Sequence, residues 1–190
     1  MTPENVIERF KETEAFLEGH FILSSGLHSP NYLQCALALR HPTNAAEFGR
    51  AIAEHFKDAE IETVASPAIG GLIIGYEVAS ALGVNFIWTE RENGQMTLRR
   101  GFSVKTGEKI LVVEDVVTTG GSTRETIEAL ERAGAKVIGA ASIIDRSGGN
   151  ADVGVPRIAL VTLTIPTYEP SSCPLCANGD VAVKPGSRKI

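Results

Sequence analysis

Short apolar runs and amphipathic stretches alternate along this chain. The run Ile110-Leu111-Val112-Val113 is apolar at every position, a pattern typical of a strand that a parallel sheet buries on both faces. Similar short runs predict further strands, whereas apolar residues spaced three or four apart predict helices. The predicted strands cover residues 62–65, 85–88, 110–113, 136–144 and 158–163, and the predicted helices cover 2–18, 44–56 and 72–82. This alternation predicts an α/β fold with a central, mostly parallel sheet flanked by helices.

A small hairpin is predicted outside this sheet, close to the N-terminus. An extended run over residues 21–23 meets a Ser-Ser-Gly turn, and a second extended run over residues 31–35 follows Pro30. Two short β-runs joined by a glycine-containing turn are typical of a hairpin.

The composition fits one globular domain. The chain has 190 residues, of which 43% are hydrophobic and 22% charged, which suffices for one sizeable core. Its formal net charge of -5 argues against a general nucleic-acid binder. No stretch approaches the roughly 20 apolar residues of a membrane span, and the first residues lack the features of a signal peptide. With three cysteines, two of them in a CxxC pair, we expect a cytoplasmic location rather than a disulfide framework.

Two carboxylates and a glycine-rich loop follow the apolar run at 110–113. Glu114 and Asp115 stand at the predicted carboxyl end of the strand, and the loop covers residues 118–122. Glycines permit close approach of a phosphate, and hydroxyl and N–H groups at a helix start bind anions. Adjacent carboxylates can accept hydrogen bonds from vicinal hydroxyls or face a hydrated divalent cation. The stretch therefore predicts a site for a sugar that carries a phosphate.

The same stretch also has a purely structural interpretation. It could be a tight turn between a strand and a capped helix, with Ser122 or Thr123 as the N-cap and Gly134 at the end. The acidic pair argues against this alternative, because a simple turn has no need of two carboxylates.

A second strand-to-helix turn has similar chemistry. Residues 66–71 read Ser-Pro-Ala-Ile-Gly-Gly between a predicted strand and a predicted helix. The N–H groups of such a turn can bind an anion. The alternative is an ordinary turn with no ligand.

Arginines gather in a polar stretch over residues 89–102, which predicts a mobile connection or a hairpin. A guanidinium can bind phosphate oxygens in bidentate fashion. The alternative for Arg99 and Arg100 is a solvated basic surface.

Arg146 stands just past the strand predicted at 136–144. Ligands of open α/β sheets bind at this end of the strands. The alternative is a surface ion pair between Arg146 and Asp145.

Cys173 and Cys176 form a CxxC pair, which is half of a zinc site. Cys35 and a histidine such as His28 could complete it, although no sequence pattern places them together. The alternative is a turn with two free thiols.

The stretch VVEDVVTTGGST resembles the phosphoribosyl pyrophosphate (PRPP) motif of the type I phosphoribosyltransferases. The resemblance implies that residues 118–122 hold the 5′-phosphate, that the acidic pair holds the ribose hydroxyls, and that the turn near Gly70 binds pyrophosphate together with Arg91. The residues implied at PRPP are Glu114, Asp115, Val116, Val117, Thr118, Thr119, Gly120, Gly121, Ser122, Ala68, Ile69, Gly70 and Arg91.

The segment from Phe21 to Tyr32 resembles the N-terminal hood of the orotate phosphoribosyltransferases, with the pattern F-x-L-x-S-G-x-x-S-P-x-[YF]. In that family the hood closes over the pyrimidine, and an arginine in a D-R-x-x-G setting binds the orotate carboxylate. The residues that the resemblance implies at orotate are Thr118, Arg146, Ser25, Gly26 and Tyr32.

Three positions depart from the family pattern. Ser24 and Gly70 stand where the family usually has lysines, and no Lys or His lies between Arg91 and Lys105. We expect Arg99 and Arg100 to supply the missing charge. The catalytic residues are therefore predicted to be Arg91, Arg99, Arg100 and Asp115.

The resemblance implies transfer of the 5-phosphoribosyl group from PRPP to orotate, in pyrimidine biosynthesis. It implies Mg²⁺ carried by PRPP, contacting Asp115 through water, with no direct protein ligand. It also implies a homodimer in which loop 91–100 reaches the neighbouring active site.

One phosphoribosyltransferase domain is expected over residues 1–190. It would comprise an N-terminal helix and hood (1–40), a PRPP-binding core (60–165) and a C-terminal extension with the CxxC pair (166–190). Two alternatives stay open, namely a phosphoribosyltransferase for another base, such as a purine, and a non-catalytic regulator that senses PRPP.

Overall fold

The computed structural model describes residues 1–23 and 25–185. The main sheet contains β3 Thr63–Pro67, β4 Asn85–Glu92, β5 Gln95–Leu98, β6 Lys109–Val117, β7 Lys136–Asp145 and β8 Arg157–Thr162. A separate pair comprises β1 Phe16–Ile22 and β2 His28–Leu33. The helices are α1 Pro3–Glu12, α2 Cys35–Leu39, α3 Pro42–Glu54, α4 Gly71–Leu82, α5 Gly121–Arg132 and α6 Pro174–Ala177, with one 3-10 turn at Pro170–Ser172. Within the described ranges, none of these helices has the length and apolar character needed to span a membrane.

The main sheet is mostly parallel, as predicted. Its strand order is β5-β4-β3-β6-β7-β8, and only β5 runs antiparallel to its neighbour. Strand β6 lies between two parallel neighbours, and its four residues from Ile110 to Val113 are fully buried. A strand covered on both faces has no polar side, which explains the uninterrupted apolar run.

Helices cover both faces of the sheet. Leu111 packs in one core with Phe48 of α3. Val112 packs in a second core with Ile127 of α5. Because successive side chains of a strand point to opposite faces, β6 contributes to both cores.

The helix predicted over 2–18 is too long. Helix α1 ends at Glu12, and Phe16 and Leu17 belong to β1. The chain changes direction between α1 and β1, where Glu14 adopts a φ of 56°. The apolar spacing of this short segment fits a helix and a strand equally well, so the periodicity did not reveal the turn.

The helix after the glycine-rich loop starts earlier than predicted. Its N-cap is Gly120, with a φ of 80°, and α5 begins at Gly121, so neither Ser122 nor Thr123 caps it. Glycine adopts this left-handed conformation without steric cost, which lets the chain pass from strand to helix in a short turn. The predicted end is confirmed, because Gly134 follows the last turn with a φ of 101°.

The predicted hairpin forms a separate two-stranded antiparallel sheet, β1 and β2, here called the hood hairpin. Two residues from the far end of the chain pair with it. Val183 forms a parallel bridge with Phe21, and Tyr168 forms an antiparallel bridge with His28. The predicted extension, 166–190, therefore lies against the hood hairpin at these two points, and its residues 186–190 lie outside the described part.

Close packing of α3 against α4 requires Gly49. A Cβ atom at this position would lie 2.6 Å from the Glu77 Cβ and 2.8 Å from the Glu77 carbonyl carbon. We expect Gly49→Ala to lower the thermal midpoint, because overpacking costs about 1–3 kcal/mol and outweighs the roughly 1 kcal/mol that alanine gains over glycine in a helix. Thermal unfolding followed by circular dichroism would measure the change.

The matched control is Arg50→Ala, at the exposed neighbouring position of the same helix. It should leave the midpoint nearly unchanged. A Gly49→Ala variant as stable as the original chain would contradict the proposed close approach of the two helices.

Candidate active site

A cavity of about 590 Å³ lies between the hood hairpin and the carboxyl ends of β6 and β7. The hairpin and the segment after it form one wall, and the ends of the two strands form another. Because the strands are parallel, the residues that follow them meet at the same edge of the sheet. The cavity is lined by Leu23, Ser25, Leu27, Tyr32, Leu33, Gln34, Cys35, Asp115, Val116, Thr118, Thr119, Arg146, Ile165 and Thr167.

Two carboxylates stand together near the end of β6. Glu114 is 8% exposed, and burial together with the adjacent Asp115 raises the pKa of Glu114 to about 9. Burial also raises the pKa of Asp115, although the Val116 amide donates a hydrogen bond to its Oδ1 at 2.9 Å. Burial is the main cause of both shifts, since a poorly solvated carboxyl group resists carrying a charge, and the neighbouring Asp115 adds only to the shift of Glu114. A ligand that brings hydroxyl donors or a cation would stabilise the ionised form.

The loop after β6 presents hydroxyl and amide groups to solvent. Thr118, Thr119 and Ser122 are exposed. The amide of Arg124 donates to the carbonyl of Gly120 at 2.9 Å, which is the first bond of helix α5. The three preceding amides have no acceptor within the helix and point out of its N-terminal end. These amides and hydroxyls are available to an anion, and the phosphate site at residues 118–122 stays a prediction.

The turn before α4 lies directly over Asp115. A Cβ atom at Gly70 would lie 2.7 Å from the Asp115 Oδ1, so a side chain at position 70 would displace the Asp115 carboxylate from its present position. Ile69, at the tip of the turn, is 83% exposed. The amide of Ala68 donates to the Thr89 carbonyl at 2.8 Å, which anchors the turn to β4. The two predicted anion-binding turns are therefore neighbours in space.

Arg146 has no ion pair with a carboxylate in the described part of the chain. Its half-buried side chain lines the cavity, and its Nε is buried without a hydrogen-bond partner. Burial lowers the pKa of its guanidinium. The alternative of a pair with Asp145 is wrong, because Asp145 Oδ2 accepts a hydrogen bond from Arg157 at 2.9 Å instead. A desolvated cation that faces a cavity without a counter-charge is suited to an anionic ligand.

The hood hairpin brings some of its predicted residues to the cavity. Ser25 and Tyr32 line it. Gly26 is not part of the lining; it has a φ of 86° in the turn, where its amide donates to the Leu23 carbonyl at 2.9 Å. Ser24 lies outside the described residues.

Sequence reasoning missed Gln34 and Cys35 as parts of this site. Gln34 directly follows β2, and no period along the strand identifies it, because Leu33 also lines the cavity. The sequence indicates Cys35 only as a possible zinc ligand. It is buried in the cavity wall, where burial and the nearby Asp115 raise the pKa of its thiol well above the ordinary value.

The three arginines predicted to be catalytic do not line the cavity. Their stretch forms the hairpin of β4 and β5, one of the two predicted possibilities. Arg100 donates to both carboxylate oxygens of Glu90, and these hydrogen bonds lower the pKa of Glu90 to about 2. Arg99 lies 3.4 Å from Glu92, and Arg91 lies 2.6 Å from Glu125. Their catalytic role stays a prediction.

The CxxC pair lies in a cluster away from this cavity. Cys173 and Cys176 adjoin His28, the histidine named above as an example, and also His20, which was not among the ligands predicted from the sequence. Cys35 is not part of the cluster.

The chain is similar to known phosphoribosyltransferases in sequence and in fold. A family model described as "Phosphoribosyl transferase domain" matches residues 38–158. The orotate phosphoribosyltransferase of Caldicellulosiruptor saccharolyticus is 52% identical over 190 residues, covering 100% of both chains. That of Thermotoga maritima is 53% identical over 96% of this chain and 98% of its own. The crystal structure of orotate phosphoribosyltransferase from Aeropyrum pernix has a TM-score of 0.68 at 27% identity, covering 83% of this chain and 93% of that one.

These matches agree with the mostly parallel sheet flanked by helices. The expected α/β phosphoribosyltransferase fold is confirmed. Since the relatives match at more than half identity over essentially their full length, the chain belongs to the phosphoribosyltransferase family, among the orotate phosphoribosyltransferases.

Proposed function

We propose that this protein transfers the 5-phosphoribosyl group from PRPP to orotate, giving orotidine 5′-monophosphate and pyrophosphate in the biosynthesis of UMP. The observation that carries the proposal is the desolvated guanidinium of Arg146, which faces the cavity without a counter-charge. Orotate carries a carboxylate that can pair with this guanidinium, whereas adenine and hypoxanthine carry no carboxylate. The relatives are named for the same substrate, orotate.

Each part of PRPP has a matching group at this edge of the sheet. The amides and hydroxyls of residues 118–122 suit the 5′-phosphate, because they start helix α5. Glu114 and Asp115 suit the ribose hydroxyls as acceptors. The turn at Ala68, Ile69 and Gly70 lies beside Asp115 and suits the pyrophosphate.

The reaction needs no nucleophilic side chain. The bond from the anomeric carbon to pyrophosphate breaks as orotate N1 bonds to that carbon, through an oxocarbenium-like state, and the proton of N1 is released to solvent or to the departing pyrophosphate. The chain contributes by holding N1 in line with the carbon and by stabilising the departing charge. Tyr32 and Ser25 on the hood hairpin would hold the pyrimidine ring while Arg146 holds its carboxylate.

The carboxylate pair fits a hydrated Mg²⁺ that arrives with PRPP. Carboxylate oxygens are preferred partners of this ion and its water shell. Burial raises the pKa of both Glu114 and Asp115, so a cation beside them would favour their ionised forms. Bound Mg²⁺ would neutralise part of the pyrophosphate charge.

The β4–β5 hairpin is proposed to act on pyrophosphate across a homodimer. Its arginines are held by Glu90, Glu92 and Glu125 within the single chain and do not reach the cavity. Exposed ion pairs contribute little stability, so exchange of a glutamate for a pyrophosphate oxygen is energetically accessible. A cytoplasmic location completes the proposal and agrees with the three free cysteines.

One assay separates the proposal from its alternatives. The absorbance of orotate is followed with PRPP and Mg²⁺, and adenine, hypoxanthine and uracil are tested as other acceptors. Turnover with orotate alone supports the proposal. Turnover with a purine would indicate a different transferase, and PRPP binding without turnover of any base would indicate a regulator.

Arg146→Ala should weaken orotate binding much more than PRPP binding, because it removes the partner of the carboxylate. Removing one member of a desolvated pair costs about 2–5 kcal/mol. Calorimetry with each ligand measures the two effects. The control is Arg132→Ala, an exposed arginine that pairs with Glu128. Equal losses for the two ligands would rule out the assignment of Arg146 to orotate.

Asp115→Asn should lower kcat/KM for PRPP by roughly 10- to 150-fold, since hydrogen bonds to a charged group contribute about 1.5–3 kcal/mol. Glu114→Gln should have a smaller effect, because Asp115 lines the cavity and Glu114 does not. Steady-state kinetics at fixed orotate would measure both variants. Unchanged kinetics in Asp115→Asn would show that this carboxylate serves only the fold.

The double variant Arg99→Ala/Arg100→Ala should lower kcat more than it raises KM for PRPP, if the hairpin contacts pyrophosphate mainly in the transition state. The loss should be about 2–4 kcal/mol, the usual cost of removing an electrostatic contact to the transition state. Glu90→Gln is the matched variant, since it releases Arg100 without removing it. The Glu90→Gln variant should have the same kcat as the original chain.

Mixed dimers test the exchange between subunits. Chains carrying Arg99→Ala/Arg100→Ala, mixed with chains carrying Asp115→Asn, should regain part of the activity, because one active site then has both intact parts. A double-alanine variant with the original kcat would remove the hairpin from the mechanism.

A further inference from the structure

Four potential metal ligands meet between the hood hairpin and the C-terminal segment. They are His20 of β1, His28 of β2, and Cys173 and Cys176 around α6. One ligand atom from each lies within 4.8 Å of the other three. Both histidines and Cys173 are buried, whereas Cys176 is exposed. We propose that these four residues bind one Zn²⁺ ion in a closed, structural site.

The distances between the ligand atoms are close to the edges of a zinc tetrahedron. Bond lengths of about 2.3 Å for sulfur and 2.0–2.1 Å for nitrogen imply sulfur-to-nitrogen edges of roughly 3.5 Å. The Cys173 Sγ lies 3.5 Å from the His20 Nε2, and the Cys176 Sγ lies 3.8 Å from it. The Cys176 Sγ also lies 3.3 Å from the His28 Nδ1. All three distances therefore agree with shared coordination.

The two histidine nitrogens lie closer together than a tetrahedron requires. The His20 Nε2 and the His28 Nδ1 are 2.8 Å apart, against an edge of roughly 3.3 Å for two zinc-bound nitrogens. Side-chain rotations that move these two nitrogens about half an ångström further apart would admit the ion, and side chains adjust over this range within a rotamer. Without an ion, the same distance would be a hydrogen bond between the two rings.

A second contact fixes His20 in the form that a metal needs. Its Nδ1 lies 2.9 Å from the carbonyl oxygen of Asp180. A carbonyl accepts only, so Nδ1 carries the proton and Nε2 presents its lone pair to the cluster. Metal-binding histidines commonly donate their second N–H to a carbonyl or a carboxylate in this way.

The ligand types select zinc among the common metal ions. Two thiolates and two imidazoles suit Zn²⁺, whereas Mg²⁺ and Ca²⁺ require oxygen ligands. Four protein ligands leave no position for water or substrate, which is typical of a structural and not a catalytic site. The spacing is also characteristic, with Cys173 and Cys176 separated by two residues on the sequence.

The ion would fasten the end of the chain to the hood hairpin. His28 and Cys173 are far apart in sequence, so a metal link between them closes a long loop and restricts the unfolded chain. The bridges of Val183 with Phe21 and of Tyr168 with His28 flank the same cluster. The hairpin carries Ser25 and Tyr32 in the cavity wall, so the ion would also hold that wall in position.

Metal content tests the site without reference to catalysis. The untagged protein, expressed with zinc in the medium and purified without chelator, should contain one zinc per chain by plasma mass spectrometry. Cys176→Ser and His20→Ala should reduce this content towards none, whereas Cys35→Ser and His55→Gln should retain it. These controls remove a thiol and an imidazole that lie outside the cluster.

Cobalt substitution keeps the test valid if a variant fails to fold. A chelator removes the ion from the original chain, and Co²⁺ is then added. The cobalt protein should show the intense visible absorption bands of tetrahedral thiolate coordination. Hydrogen exchange should become faster in β1 and β2 of the chelated protein and return to its original rate when Zn²⁺ is added. Exchange in β6 should change little.

Three results would overturn the proposal. The first is a protein that is purified without zinc and also fails to bind added Zn²⁺. The second is a disulfide between Cys173 and Cys176, detected by mass spectrometry in the freshly purified protein. The third is full zinc content in both Cys176→Ser and His20→Ala. None of these results depends on whether orotate is the substrate.

Discussion

The parallel pairing of β6 with β3 and β7 determines the position of the site. Their carboxyl ends meet at one edge of the sheet, so the segments that follow them converge there. The acidic pair comes from β6, the turn at Gly70 follows β3, and Arg146 follows β7. Three short segments that are far apart in sequence therefore contribute to one site because of strand order alone.

The electrostatics of this edge are unbalanced in the free chain. Glu114 and Asp115 are poorly solvated, and burial raises the pKa of both. Arg146 is half-buried without a counter-charge in the described residues, and burial lowers the pKa of its guanidinium. Such groups destabilise a folded protein unless a ligand supplies the hydrogen-bond and charge partners that they lack. A phosphorylated sugar and an acidic base would supply the hydroxyls and the carboxylate that these side chains lack.

Much of the main sheet could be predicted from the sequence. The apolar run at 110–113 and Gly120 after β6 have local causes, namely burial on both faces and a turn at positive φ. The end of α1 could not be predicted, because Phe16 and Leu17 fit two periodicities. The pairing of Asp145 with Arg157, and the meeting of His20 with Cys173, depend on contacts between distant segments. Periodicity carries no information about such contacts.

The central claim is that Arg146 recognises the carboxylate of the base. The most direct measurement compares kcat/KM for orotate and for uracil, which lacks the carboxylate, in the original chain and in Arg146→Ala. The account predicts that the original chain strongly prefers orotate and that the variant loses most of this preference, chiefly through a lower value for orotate. An equal preference for orotate in both proteins would contradict it.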